Sequence, residues 1–448
     1  MIDTETALAR CDDLVALARS LGADAADAVA RADSSESVTV RLGELEEVER
    51  TESEEIGLRV FVGKRSASIH TSDFAPEGLK ALAQRAVEMA RHAPEDPYAG
   101  LADRDDLFSG DLPDLDLFDD TNIEPAALRE AARATEEAAR AVEGVTNSNG
   151  GSASAGQAVV ALVTSEGFAR GYSGTGFSLS ANVIAGEGSD MQTDYASRSA
   201  RHYADLLTPE EIGTKAGERT VAKVKPGSVP SGKMPVVFDP RIGGGLLGHL
   251  IGAMGAPAIA RKASFLLGRE DDELFDSSIR IVEDPLRVRG MRSRPFDGEG
   301  VASTPRALVE NGRIFGWLSN VASARQLGLG LTGHAARSGG GSPGVSASNG
   351  HLEAGDVTPE ALMADIADGL YVTGLFGQGV NMITGDYSRG ATGFRIRNGE
   401  IAGPVAEITI AGNLLEMFRA MTPANDLEMH KSINVPTIRV DGMTVAGD

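Results

Sequence analysis

Seven histidines are the residues best suited to chemistry in this chain, and their spacing excludes most of it. A zinc hydrolase needs two or three imidazole, thiolate or carboxylate ligands on rigid elements, with a carboxylate to activate the metal-bound water. None of His70, His92, His202, His249, His334, His351 and His430 is followed by glutamate, and no two lie within ten residues of each other. A helical histidine pair is therefore impossible. The single cysteine, Cys11, falls on the stripe Ala7, Cys11, Leu14, Ala18, Leu21 of a first helix. That placement predicts a buried, inert thiol, and one cysteine excludes both an internal disulfide and a cysteine metal cluster.

Serine chemistry fares little better. Ser388 stands in Gly385-Asp386-Tyr387-Ser388-Arg389-Gly390, with His334, His351 and His430 in the same half of the chain. Ser173 stands in Gly171-Tyr172-Ser173-Gly174. Neither meets the Gly-x-Ser-x-Gly pattern of a nucleophile elbow, and serines beside glycines are usually turn formers. No glycine-rich run ends in Gly-Lys-Ser/Thr, and the isolated Gly174-Thr175-Gly176 is no dinucleotide fingerprint. The expectation is a chain with no catalytic residue, no cofactor-binding residue and no metal ligand of its own.

Composition narrows the partners. The 448 residues are 42% apolar and 24% charged, which is globular composition with room for two or three cores. A formal charge of −23, with no basic stretch longer than Lys223–Lys225, argues against nucleic acid as a direct ligand. Met1 to Ala9 has no apolar run of the kind a secretory leader needs, and no segment approaches a membrane span. A cytoplasmic protein is expected.

The elements that must position any site read as α+β. Residues 4–22 form an amphipathic helix, followed by short alternating runs at Val38–Leu42, Leu45–Val48, Gly57–Val62 and Ser66–His70 and a second helix from Pro76 to Arg91. The acidic run Glu44–Glu55 reads as the solvated face of two strands. Pro94–Asp120 reads as a linker. Thr208-Pro209-Glu210-Glu211 is a helix start with a capping box. Pro235–Phe238 is a buried strand, and Asn311-Gly312 and Asn398-Gly399 are hairpin turns. Gly243–Lys262 is a glycine-rich entry into a helix, Trp317 is a core residue, and Gly339–Gly350 is a mobile loop or the lining of a ligand groove. The divisions expected are an N-terminal α+β domain with an antiparallel sheet (1–95), a linker and middle domain (96–225) and a β-rich C-terminal domain (226–448).

Several blocks in the C-terminal half resemble the signatures of the TldD/PmbA family. They are Arg261-Lys262-Ala263-Ser264-Phe265-Leu266-Leu267, Gly377-Gln378-Gly379-Val380-Asn381, Thr384–Gly390 and Glu407–Leu414. The Gly57–Val60 strand is similar to the family's first domain. The resemblance implies two kinds of subunit. TldD-type chains carry His-Glu-x-x-x-His on a C-terminal-domain helix and a later cysteine ligand; PmbA-type chains, also called TldE, lack them. Here Gly248, His249 and Ala253 stand at the three positions, and a shift by one leaves His249, Leu250 and Met254.

The chain is therefore similar to PmbA/TldE, the non-catalytic half of a cytoplasmic heterodimeric protease acting on unfolded polypeptides. The resemblance implies a TldD-type partner that holds the divalent metal, zinc by the family pattern. Family substrates include a peptide-antibiotic precursor and a toxin-antidote protein, hence the older name modulator of DNA gyrase. Two alternatives stay open: a self-sufficient, homodimeric hydrolase with unidentified residues, and a polypeptide-binding regulator. Peptide or partner contacts are expected at Asn381, Thr384, Asp386, Tyr387 and Arg389 and at the Gly339–Gly350 loop, with an Asp386–Arg389 ion pair holding the turn.

Overall fold

The computed structural model describes residues 2–270, 272–339, 341–377 and 379–447. Helix α1 (Thr4–Ser20) starts at Asp3, whose carboxylate accepts the Thr6 N–H, and buries Ala7, Cys11, Leu14, Val15 and Ala18. Burial pushes the Cys11 thiol up to about 12, so it is protonated at neutral pH. Strands β1 (Ala25–Arg41), β2 (Glu44–Val62) and β3 (Arg65–Thr71) follow. The first two are much longer than hydrophobic alternation suggests. Asp33–Glu36 continue the ladder against Ser53–Arg50 because backbone pairing to a neighbour on each side holds a polar strand. Leu42 and Gly43, both at positive φ, make the tight turn between β1 and β2.

The acidic run lies on one strand, not two. Residues 44–53 of β2 are exposed on both faces, and their outer edge is unpaired because β3 ends at Thr71, opposite Ile56. Repelling glutamates keep such an edge from adding a stray strand.

Helix α2 (Pro76–His92) packs beside α1. The Pro94–Asp120 segment is no free linker: Leu101, Leu115 and Leu117 are buried. The Phe108 N–H donates to the Gly300 carbonyl and the Thr175 N–H to that of Leu117. It straps the sheet to the C-terminal region. Then come α3 (Pro125–Arg140), β4 (Val145–Thr164), β5 (Ala169–Ala185), β6 (Gln192–Ala200) and α4 (Pro209–Val221), the last opened by the capping box at Thr208. One antiparallel sheet, ordered β3-β2-β1-β4-β5-β6, runs through both regions, with β1 against β4 from Asp27↔Thr164 to Val40↔Gly151. Ala26, Ala28, Ala30 and Ala32 lie under α1 and α2, and Val38 and Val40 under α3 and α4. Their shared parity places all four helices on one face.

The C-terminal region is a barrel. Strand β7 (Gly232–Phe238) lies between Asp368–Phe376, parallel to it, and Ile438–Ala446, antiparallel. Val236, Val237 and Phe238 are accordingly fully buried. Asp386–Arg397 and Glu400–Asn413 continue the sheet, and the latter closes back on Ile438–Ala446. The turns at Asn311-Gly312 and Asn398-Gly399 have both residues at positive φ, and Trp317 is in the core. The fold is α+β with a β-rich C-terminal region, as expected. The 339–350 stretch is less irregular than expected: Gly344–Val345 pairs with Ala335–Ala336, and Ser348 and Asn349 are buried. Gly340 lies outside the described residues. Among the described residues no helix is long and apolar enough to cross a membrane.

A buried ionic clasp joins sheet and barrel. Arg59 donates to Asp27 at 2.5 and 3.0 Å and to Glu299 at 3.0 Å, while Arg337 donates to the other oxygen of Asp27. Burial pushes the Asp27 carboxyl up, but Arg337 and Arg59 together hold it below the usual range.

Candidate functional site

The site grows from α5 (Pro240–Ala253). Asp239 caps it by accepting the Arg241 N–H at 2.8 Å, and Pro240 occupies the first turn. The helix thus begins before the glycines rather than after them, and Gly243, Gly244, Gly245, Gly248 and Gly252 are interior. Each is less favourable than alanine in a helix by about 1 kcal/mol. Leu246, Leu247, Leu250 and Ala253 offset this by burying the opposite face in the barrel core. Gly243 is needed for close packing, since a Cβ there would press on Val435. Gly245 and Gly248 have open space instead, and Gly252 meets only the Met382 side chain. The helix therefore presents bare backbone along one exposed line.

Beside that line lies the start of the Asp386–Arg397 strand. The Tyr387 ring is buried and meets His249 edge-on, with centroids 6.2 Å apart and planes at 73°. Burial, then the nearby Arg389, lowers the His249 pKa, leaving a neutral imidazole at pH 7. Burial pushes Tyr387 up to about 12.

The preceding turn is self-contained. Asn381 accepts the Ile383 and Thr384 N–H groups at 2.9 and 3.3 Å, and Gly385 turns at φ +81°. Thr384 donates to Asp386 at 2.7 Å, and Asn413 donates to the Thr384 carbonyl at 3.0 Å and to Asp386 at 3.3 Å. These hydrogen bonds hold Asp386 below the usual carboxylate range. The expected Asp386–Arg389 ion pair is absent: Arg389 donates from Nε to the Phe376 carbonyl at 3.1 Å. Residues three apart on a strand face opposite ways.

The segment after Gly377 runs alongside, with Val380 bridged to Tyr387 and the Ser388 N–H donating to Gly379 at 2.6 Å. A side chain at Gly379 would collide with the Ser388 carbonyl, a physical reason for that glycine. Gln378 lies outside the described residues. Together Ala263, Gly379–Ile383 and Asp386–Ser388 line an open depression of about 730 Å³. Ile383 on its rim is 63% exposed.

The histidines near Ser388 in sequence are engaged elsewhere. His334 meets Glu283 at 2.5 Å, His351 lies 3.5 Å from Arg287, and His430 sits beside Glu428. Asn381, Thr384, Asp386 and Tyr387 are thus one structural unit with His249, while Arg389 faces away from Asp386. Sequence reasoning missed Asn413 as the residue locking the turn, and missed the clasp entirely. Next to the clasp residue Arg59 on β2, a Cβ at Gly57 would strike the Gly339 carbonyl, so the sheet meets the C-terminal region closely there.

Models of the PmbA/TldA metallopeptidase family match in three blocks: domain 1 at residues 26–90, the central domain at 118–224 and the C-terminal domain at 231–447. Metalloprotease PmbA of Escherichia coli O157:H7 is 39% identical over 92% of this chain and 90% of its own length. The chain belongs to the PmbA/TldD family. Among solved structures of similar shape, a Bacteroides thetaiotaomicron protein titled for modulation of DNA gyrase superposes with a TM-score of 0.91 at 28% identity, covering 100% of both chains. TldE from Thermococcus kodakarensis shares the fold, with a TM-score of 0.85 at 20% identity over 97% of this chain and 99% of its own.

The metal implied by a metallopeptidase family does not fit the residues present in this PmbA/TldD chain. At the helix positions in question Gly248 has no side chain, His249 stands alone and Ala253 is a buried methyl. The register shifted by one offers Leu250 and Met254, both buried in the core. Among the described residues no group of three or more His, Cys, Asp or Glu is placed to hold a metal ion. Cys11 is in α1, buried near the Ala161 carbonyl.

Proposed function

We propose that this chain is a non-catalytic PmbA/TldE-type subunit of a cytoplasmic heterodimeric TldD-type metalloprotease that degrades or processes unfolded polypeptides. A TldD-type partner supplies the divalent metal, zinc. The observation that carries the reading is α5: a helix at the family's metal-site position that offers bare glycine backbone and one neutral histidine beside an open depression. Such a surface can seat an extended chain or a partner, since backbone is what a polypeptide pairs with. Among the described residues it offers no group of three or more metal ligands for hydrolysis. The relative's name, metalloprotease, supports the peptidase setting.

The test is a tagged pull-down from the native cell followed by peptidase assay of the purified chain and of the complex. The expected result is a stoichiometric homologue carrying His-Glu-x-x-x-His, with chelator-sensitive peptide cleavage by the pair and none by this chain alone. Cleavage by the isolated chain would replace the proposal with a self-sufficient homodimeric hydrolase. Tight binding of unfolded peptide without a metal-bearing partner would replace it with a polypeptide-binding regulator.

A further inference from the structure

Where the middle region meets the barrel, several cations gather in a chain whose overall charge is −23. Asp194 on β6 is held by Lys223 at 2.8 Å and Arg241 at 3.1 Å. Asp239 takes Arg241 Nε at 3.2 Å and the Tyr371 hydroxyl at 3.2 Å. These two acids balance Lys223 and Arg241. Glu428 lies 3.9 Å from Arg198 and balances a third cation.

Three further cations are present: Asp239 and Asp194 attract Arg219, and Asp239 attracts Lys431, without pairing to either. Lys215 and Arg219 on α4 and Lys431 on the facing loop form no ion pair among the described residues. Arg219 is half-buried and reaches the Tyr195 carbonyl at 3.3 Å, and Lys431 is half-buried and reaches that of Arg241 at 3.3 Å. Arg219 sits close enough to disfavour the charge on Lys431: burial lowers the Lys431 pKa, and Arg241 and Arg219 lower it further against the pull of Asp239. His430, next to Lys431 in the chain, has an Nδ1 sealed from solvent without a hydrogen-bond partner, 3.6 Å from Glu428. Burial keeps that imidazole neutral, with Arg198, Lys431 and Lys215 adding to the effect against Glu428. Cations without an ion-pair partner, two of the three half-buried, are what an anion's oxygens would neutralise.

We propose that Lys215, Arg219, His430 and Lys431 form a binding site for an oxyanion, a carboxylate or phosphate group presented by a ligand at the seam between α4 and the barrel. It is separate from the depression beside α5, because Arg241 and Gly252 lie about 16 Å apart along that helix. The inference stands whether or not the peptidase reading holds.

Thermal unfolding of the full chain tests it, in about 10 mM inorganic phosphate and in about 10 mM capped tetraglutamate peptide, each against sodium chloride of equal ionic strength. The expected result is a Tm raised by about 2 °C or more by at least one of the two, and no rise in the Arg219→Met/Lys431→Met double variant. A rise with phosphate alone assigns a phosphate ligand, a rise with the peptide alone assigns an acidic polypeptide, and a rise with both assigns a site that accepts either. No rise with either, or an equal rise in the double variant, overturns the site. Should the double variant unfold at room temperature, Lys215→Met at an exposed position takes its place, and an undiminished rise in it overturns the site equally.

Discussion

Asp27 accepts from two buried guanidinium groups, so its removal leaves Arg337 without its carboxylate and Arg59 with Glu299 alone. Breaking one side of such a pair costs about 3–5 kcal/mol, mostly for the charge left unpaired. Asp27→Ala is therefore expected to lower stability by that order in urea unfolding, while Glu52→Ala, on the exposed stretch of β2, leaves the unfolding midpoint unchanged. His430 gives a pH signature. Its folded pKa is about 4, below the ordinary 6.5, so the unfolded chain takes up the proton first as pH falls. The stability this histidine contributes is complete above pH 6.5 and is lost as pH falls towards 4. Asp297, pushed up to about 6 by burial and then by Glu299, acts in the opposite direction but equally in any His430 variant. Between pH 7 and pH 5 the Tm of the wild type should fall further than that of His430→Gln. Parallel curves would contradict the assigned shift.

At the level of elements, helix α5 holds glycine where alanine fits. Gly248→Ala meets no atom within 4 Å, so it should stabilise the protein by about 0.5–1 kcal/mol through helix propensity. If the bare face is a seat for chain or partner, the same substitution should weaken complex formation in the pull-down. Stability and binding moving in opposite directions is the outcome that separates function from tolerance. Lys262 makes a related case. It ends α6 (Ala256–Ala260) at φ +56°, where a lysine is strained and glycine is not. Lys262→Gly should raise Tm by an amount matching about 1 kcal/mol, measured by thermal unfolding. A loss would show that the lysine side chain holds the neighbouring Ala263 loop.

For the whole molecule, the strap Pro94–Asp120 shows how little its composition says about packing. Its Pro, Asp and Gly content reads as a linker, yet Leu117 is only 7% exposed and its carbonyl accepts the Thr175 N–H. Leu117→Ala should cost about 2–3 kcal/mol; an unpacked linker would lose nothing measurable. Local signals carried well where they were local. The Thr208 capping box, the Asn-Gly turns, the stripe of α1 and the run Pro235–Phe238 depend on neighbours in sequence, and each stands as read. The Asp386–Arg389 pair failed because spacing was judged without the strand geometry that turns those side chains apart. What the sequence by itself determined was the α+β class and the family, since residue types and short spacings settle those. Only the tertiary structure decided that one sheet spans two regions, that Asp27 meets Arg59 and Arg337, and that Lys215 and Arg219 on α4 come near His430 and Lys431. Those contacts join residues tens to hundreds of positions apart, and their energy comes from burial and charge proximity that no local pattern encodes.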